Sequence, residues 1–373
     1  METKPIPGTD LRISADSHVA EPLDLWATRF PPALRDRAPR FDKLPESSHT
    51  RPGGWDPVER LRDLAVDYIA GEVLYPSLGN LIFREKDPEM AQALATVYND
   101  WLIEYCRYAP DRLWGIAGIP LWNIDFAVAE MIRCRKDGLV GMAIWLAPPD
   151  ELPFYLPHYE RVWAAAQDLE MPICLHINAG FGAYKRLPKS ASIEGVALRV
   201  HGNSTMAKDA VIQIILSAVL ERYPRLKIVI GEVNWGWVPF WLQELDENYQ
   251  RYAYRANENL AKLSMLPSEY YQRQCYATFM DDTIGGYVGG RWWHRTAMWS
   301  NDYPHWNGIW PMGTEILNRT LEPLTPEQRY DMVCGNVARL YNKPVPQPLP
   351  RGDFEPSRTE MPARVQREHR RNL

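Results

Sequence analysis

Short runs rich in Ile, Val and aromatic residues alternate with longer stretches of helical period from near the start of the chain to about residue 340. Eight strands are predicted, over residues 11–18, 72–76, 114–120, 140–146, 172–178, 227–233, 274–279 and 296–301. Between them, Leu94, Tyr98, Trp101, Leu102 and Tyr105 share one apolar helix face, and Trp237, Trp241, Leu245 and Tyr252 share another. Each face suits packing on the outside of a sheet. Pro239 falls in the first turn of the second helix, where its missing N–H is tolerated. Eight strand–helix units in succession predict a single (β/α)8 barrel over residues 1–343. An open nucleotide-binding sheet is disfavoured, because no glycine-rich phosphate loop follows any strand.

Two long segments interrupt the alternation, at about 21–62 after the first strand and about 179–204 after the fifth. Both fall at strand C-terminal ends, the face on which barrel active sites are built. Residues 344–373 carry closely spaced prolines and then mixed charge with several arginines, too little apolar material for a core. This tail is expected to be disordered or draped over a neighbouring subunit.

Composition narrows the function. The 373 residues are 46% hydrophobic and 24% charged, the balance of a globular protein that buries a large core. Lys and Arg total 42 against 47 acidic residues, a net charge of −5, so no basic excess is available for nucleic acid. Cys106, Cys134, Cys174, Cys275 and Cys334 are odd in number and widely spaced, which is no disulfide framework. The first residues lack the apolar core of a signal peptide, and the apolar stretch 211–220 is too short to span a bilayer. A cytoplasmic protein without a membrane partner is expected.

The chemistry gathers at predicted strand ends. Asp16 and His18 end the first strand two residues apart, so both side chains leave one face, toward the barrel mouth. Glu21 follows; His176 ends the fifth strand in CLHIN, Glu232 the sixth in VIGEVN, and Asp302 the eighth in WSNDYPH, with His305 one turn beyond. These are seven potential ligands for one mouth, four of them carboxylates. Each also has a plainer use. A buried His or Asp can serve as hydrogen-bonded scaffold, Glu21 before Pro22 can start a helix or loop, Glu232 can pair with an arginine, and His305 can stack between Tyr303 and Trp306. His201, in the long segment after strand five, is a candidate to face substrate in catalysis, or a surface histidine.

Taken together, D-S-H at residues 16–18, L-H-I-N around His176, S-N-D-Y-P-H at 300–305 and N-V-A-R-L-Y at 336–341 resemble the amidohydrolase-related branch of the amidohydrolase superfamily, the branch of aminocarboxymuconate semialdehyde decarboxylase and resorcylate-type decarboxylases. The resemblance implies that Asp16 and His18 form the first-strand ligand pair and that His176 is the fifth-strand ligand. It also implies that Asp302 is the eighth-strand aspartate, which binds the metal and handles a proton. Two positions depart from the family pattern. Glu232 stands where many relatives have a catalytic histidine, and V-G-M-A-I-W-L in the fourth strand has no lysine to carbamylate between two metals.

The resulting expectation is a metal-dependent hydrolase or non-oxidative decarboxylase of a small carboxylated or aromatic molecule, with Asp302 moving the proton. The surplus of ligands leaves one or two divalent ions open: zinc if mononuclear, iron or manganese if dinuclear. A dinuclear iron or iron–manganese monooxygenase is the alternative. An inactive scaffold subunit within a hetero-oligomer is a second, and a homo- or hetero-oligomer is expected in each case.

Overall fold

A computed structural model describes residues 4–43, 51–181, 193–252 and 263–350; within the helix Ile193–Leu216, the side chains of 193–201 and 203 are not among those described. Eight parallel strands follow one another around a nearly closed barrel. They are β1 (Arg12–His18), β2 (Ile69–Tyr75), β3 (Leu113–Gly118), β4 (Gly141–Ile144), β5 (Ile173–His176), β6 (Ile228–Gly231), β7 (Cys275–Phe279) and β8 (Ala297–Trp299). Nearly every strand residue is buried, because side chains of one parity fill the barrel and those of the other face the helical shell. The expected eight strands are therefore present. The main shift is in β2, which begins three residues earlier than its sequence pattern indicates, drawn out by pairing of Arg12 with Ile69.

Adjacent strands pair from β1–β2 through β7–β8. The seam between β8 and β1 is closed just beyond the end of β8. There the Asp302 amide donates to the Asp16 carbonyl at 3.1 Å and the His18 amide to the Tyr303 carbonyl at 2.6 Å. The two segments richest in candidate ligands are thereby stitched backbone to backbone. Beneath them, fully buried Arg60 donates to Glu72 at 2.5 Å and to the His18 carbonyl at 2.7 Å, and its guanidinium lies 4.4 Å above the Tyr303 ring. This ion pair fixes the C-terminal end of β1.

Local sequence explains the helices and many of the prolines. Asp56, Asp87 and Asn123 cap helices Pro57–Val66, Pro88–Cys106 and Ile124–Lys136 by accepting first-turn amides. Pro57, Pro88, Pro267 and Pro326 occupy first helical turns, where no N–H partner is lost.

The two expected interruptions resolve differently. The first holds short helical turns, Leu25–Arg29, Pro32–Arg37 and Pro52–Gly54, before Pro57–Val66 begins. Of the second, residues 193–204 lie on the 24-residue helix Ile193–Leu216 that follows β5. The tail also departs from expectation where it is described. Arg112 donates to the carbonyls of Ala70 and Gln347, at 2.9 and 2.7 Å, binding the start of the tail to the chain's own barrel near the beginnings of β2 and β3. Residues 351–373 lie outside the described residues. No helix among the described residues is long and apolar enough to cross a membrane.

Candidate metal centre

Six of the seven sequence-predicted ligands converge at the C-terminal mouth. Asp16 and His18 come from β1, His176 from the end of β5 and Glu232 from just past β6. Asp302 and His305 come from the loop after β8. His176 Nε2 lies 3.3 Å from Asp16 Oδ1 without the alignment of a hydrogen bond, and 3.7 Å from Glu232 Oε2. His18 Nε2 lies 3.7 Å from Asp16 Oδ1 and 3.5 Å from Asp302 Oδ1.

The imidazoles are oriented from behind. His18 Nδ1 donates to the Pro76 carbonyl and His176 Nδ1 to the Ile177 carbonyl, each at 2.9 Å. A carbonyl can only accept, so each Nδ1 carries a proton and each Nε2 faces the centre. Asp302 and Glu232 adopt left-handed backbone angles, φ 56° and 61°, which turn their side chains inward at the rim.

Four atoms here are buried and find no hydrogen-bond partner: Asp16 Oδ1, His18 Nε2, His176 Nε2 and Asp302 Oδ2. Leaving such groups unsatisfied in a protein interior costs about 1–3 kcal/mol each. Ligand atoms of Asp16, His18 and His176 lie within 4.8 Å of one another, as do those of His18, Asp302 and His305, so carboxylate oxygens and imidazole nitrogens gather here as a divalent ion requires and the residues fit a metal. Their protonation states are coupled. Burial and the nearby Asp16 carboxylate push Asp302 well above the usual carboxylate range. Burial and Asp302 push Glu232 up to about 8. Burial opposes a charge on His176, but the carboxylates of Asp16 and Glu232 overcome it and raise the imidazole to about 9. Burial and the neighbouring imidazoles hold His18 well below its ordinary value. Acids packed this closely are pushed toward their protonated forms, and a bound cation would favour their ionised forms instead.

Glu21 does not join the cluster. Its Oε1 accepts the amides of Ser77 and Gly79, at 3.1 and 3.0 Å, and its Oε2 accepts the Leu78 amide at 2.8 Å. Fully buried, it anchors the start of the short helix Leu78–Phe83 beyond β2, because that turn leaves three amides pointing inward. His305 is beside the cluster but already engaged. Its Nδ1 bonds Asp302 Oδ1 at 2.8 Å, its Nε2 meets Ser77 Oγ at 3.2 Å, and its ring stacks on His18 with centroids 3.9 Å apart. His201 has its backbone in helix Ile193–Leu216, and its side chain lies outside the described residues.

Sequence reasoning missed the neutral residues that shape the centre. Thr278 of β7 hydrogen-bonds Asp16, and Gly231 of β6 leaves room for His176. A strand-end rule reaches both positions, but neither residue type suggests ligation. Beyond the ends of β3 and β4, Trp122 and Trp145 gather with Phe181, ring centroids 5.0–5.7 Å apart, as an aromatic wall.

A family model described as amidohydrolase matches residues 17–286. The chain belongs to the amidohydrolase family. Among curated amidohydrolase relatives, the gamma-resorcylate decarboxylase of Rhizobium radiobacter is 28% identical over 170 residues, 43% of this chain and 50% of that protein. The protein of the same name from Rhodococcus jostii (strain RHA1) is 29% identical over 170 residues, 42% of this chain and 50% of its own. The chain spans about half the length of these curated relatives. Solved structures share the fold along nearly their whole length. The 5-carboxyvanillate decarboxylase of Sphingomonas paucimobilis has a TM-score of 0.66 at 20% identity, covering 90% of this chain and 99% of that one. A dihydroxybenzoic acid decarboxylase from Polaromonas sp. JS666, solved with bound manganese and the inhibitor 2-nitroresorcinol, has a TM-score of 0.62 at 19% identity, covering 89% and 97%.

Proposed function

We propose that this amidohydrolase is a metal-dependent, non-oxidative decarboxylase of a small aromatic carboxylate. The observation that carries the reading is the set of four unpartnered donors, from Asp16, His18, His176 and Asp302, buried at the mouth of the barrel. They account for one divalent ion. Glu21 and His305 are satisfied elsewhere, so a second ion has no free donors of its own among them. The manganese of the Polaromonas relative supports manganese here. It also moves the reading away from the zinc expected of a mononuclear centre.

A bound ion would supply a Lewis acid that fixes and polarises the oxygens of the substrate. The residues do the rest. Asp302, bonded through Oδ1 to His305, holds a proton at the rim and delivers it to the ring carbon that bears the carboxylate. As that C–H bond forms, the bond to the carboxylate breaks, its electron pair returns to the ring, and carbon dioxide leaves. Trp122, Trp145 and Phe181 offer an apolar wall for the ring. The decarboxylase names among the relatives favour decarboxylation over hydrolysis and lend no support to an oxygenase. The intact donor set speaks against an inactive scaffold.

The test is carbon dioxide release from hydroxybenzoates bearing an ortho carboxylate, by protein loaded with Mn2+ and by protein stripped with chelator. Release that depends on metal is expected. Turnover of amide or lactone substrates without carbon dioxide release would return the enzyme to the hydrolases.

A further inference from the structure

Thr278 stands fully buried in β7, directly between two acids of the centre. Its Oγ1 lies 2.7 Å from the Glu232 amide nitrogen and 2.9 Å from Asp16 Oδ2. A backbone N–H can only donate, so the hydroxyl must accept from Glu232, and its single proton is left for Asp16. The direction of both bonds follows without locating a hydrogen.

We propose that Thr278 is a positioning residue that makes Asp16 a one-oxygen ligand and ties Glu232 to it. With Oδ2 held by the hydroxyl, only Oδ1 of Asp16 remains free, and it faces the Nε2 atoms of His176 and His18 at 3.3 and 3.7 Å. The same hydroxyl holds the amide of Glu232, whose left-handed backbone is unfavourable for a residue with a Cβ unless the surroundings fix it. One atom of β7 therefore sets the side chain of the β1 acid and the backbone of the β6 acid. Gly231 completes the arrangement from the other side. A Cβ there would stand 2.9 Å from Asp16 Oδ2 and 2.6 Å from His176 Cδ2, so the space Thr278 and Asp16 share is kept clear by a glycine.

The inference rests on the metal reading above, and calorimetric titration of the purified chain with Mn2+ separates the two. Thr278→Val keeps the shape and removes the hydroxyl; it is expected to weaken Mn2+ binding by about 10–100-fold. Thr278→Ser keeps the hydroxyl and is expected to bind within about threefold of the parent, a rescue that a merely space-filling role would not produce. If Thr278→Val does not fold by circular dichroism, Thr278→Cys, with its weak donor, takes its place with the same expected loss. Parent-like Mn2+ affinity in the folded Val or Cys variant overturns the role of Thr278 alone, and so does an affinity in Thr278→Ser as poor as theirs. A parent chain that binds no Mn2+ overturns the metal reading and this inference together.

Discussion

Asp302 and His305 are joined twice across a single turn, by a 2.8 Å hydrogen bond between His305 Nδ1 and Asp302 Oδ1 and by a 2.9 Å bond from the His305 amide to the Asp302 carbonyl. The pairing leaves Asp302 Oδ2 free at the centre while the histidine ring lies flat on His18. On the reading proposed above, His305 steadies the acid and exchanges its proton rather than binding the ion. His305→Ala is expected to retain bound Mn2+ and to lower kcat by about 10²–10⁴-fold. Metal analysis beside steady-state kinetics checks both halves. Full turnover in the variant would remove His305 from the proton path, and loss of the ion would make it a ligand.

The proposed reading expects a single ion per chain. His18→Ala and His176→Ala each delete one of four unpartnered atoms, and metal content should fall far below one equivalent in both. Glu21→Ala should keep one equivalent, because the Glu21 oxygens are taken by the amides of residues 77–79. Elemental analysis after gel filtration reads the stoichiometry directly. Two equivalents in the parent, falling to one in Glu21→Ala, would restore a dinuclear centre.

Gly231 gives a test that touches no donor. Its register partner across β5 and β6 is His176, and an added methyl would collide with the imidazole of that residue and with the Asp16 carboxylate. Gly231→Ala is expected to lower stability by about 1–3 kcal/mol through overpacking. It should weaken Mn2+ binding by about tenfold or more as the ring is displaced. Thermal unfolding and metal titration measure the two effects. Unchanged affinity would show that the strand can shift to absorb the methyl.

The barrel was legible because its strands are short apolar runs between helices of clear period, and a histidine or carboxylate at a strand end interrupts such a run conspicuously. His176 after Ile173–Leu175 and Asp302 beyond Ala297–Trp299 are of this kind. Glu21 was misjudged because proximity to His18 in sequence says nothing about the amides of Ser77, Leu78 and Gly79, which the turn after β2 brings to it. His305 was correctly drawn to Asp302 by its spacing, but the contacts with Ser77 and the His18 ring depend on the closed seam. Thr278 was invisible for a different reason. A hydroxyl on a strand is ordinary until the structure shows that it accepts from one acid's backbone and donates to another acid's side chain. The tryptophans divide in the same way. Trp122 and Trp145 gather beyond strand ends, whereas Trp235 and Trp310 are fully buried and donate to Thr296 and the Asp63 carbonyl within the packing.

The anchor residue Glu21 also predicts how stability changes with pH. Burial raises its pKa from an ordinary 4.5 to about 7, against the opposing pull of its backbone hydrogen bonds. Between these values the folded chain holds a proton on Glu21 that the unfolded chain has released, so this group favours folding at low pH and loses that contribution as pH rises toward 7. Above about 7 the carboxylate is charged in both states, and its burial weighs against the fold by about 3 kcal/mol relative to the protonated form. Glu21→Gln keeps an acceptor for the amides and removes the titration. Its stability relative to the parent should improve progressively from pH 4.5 to pH 7 and then level off, whereas Glu21→Ala should be less stable throughout by about 1–3 kcal/mol for the amides it leaves unpaired. Denaturant unfolding of the three chains across this range decides the matter. A difference between Gln and parent that does not vary with pH would mean that Glu21 titrates alike in the folded and unfolded chain.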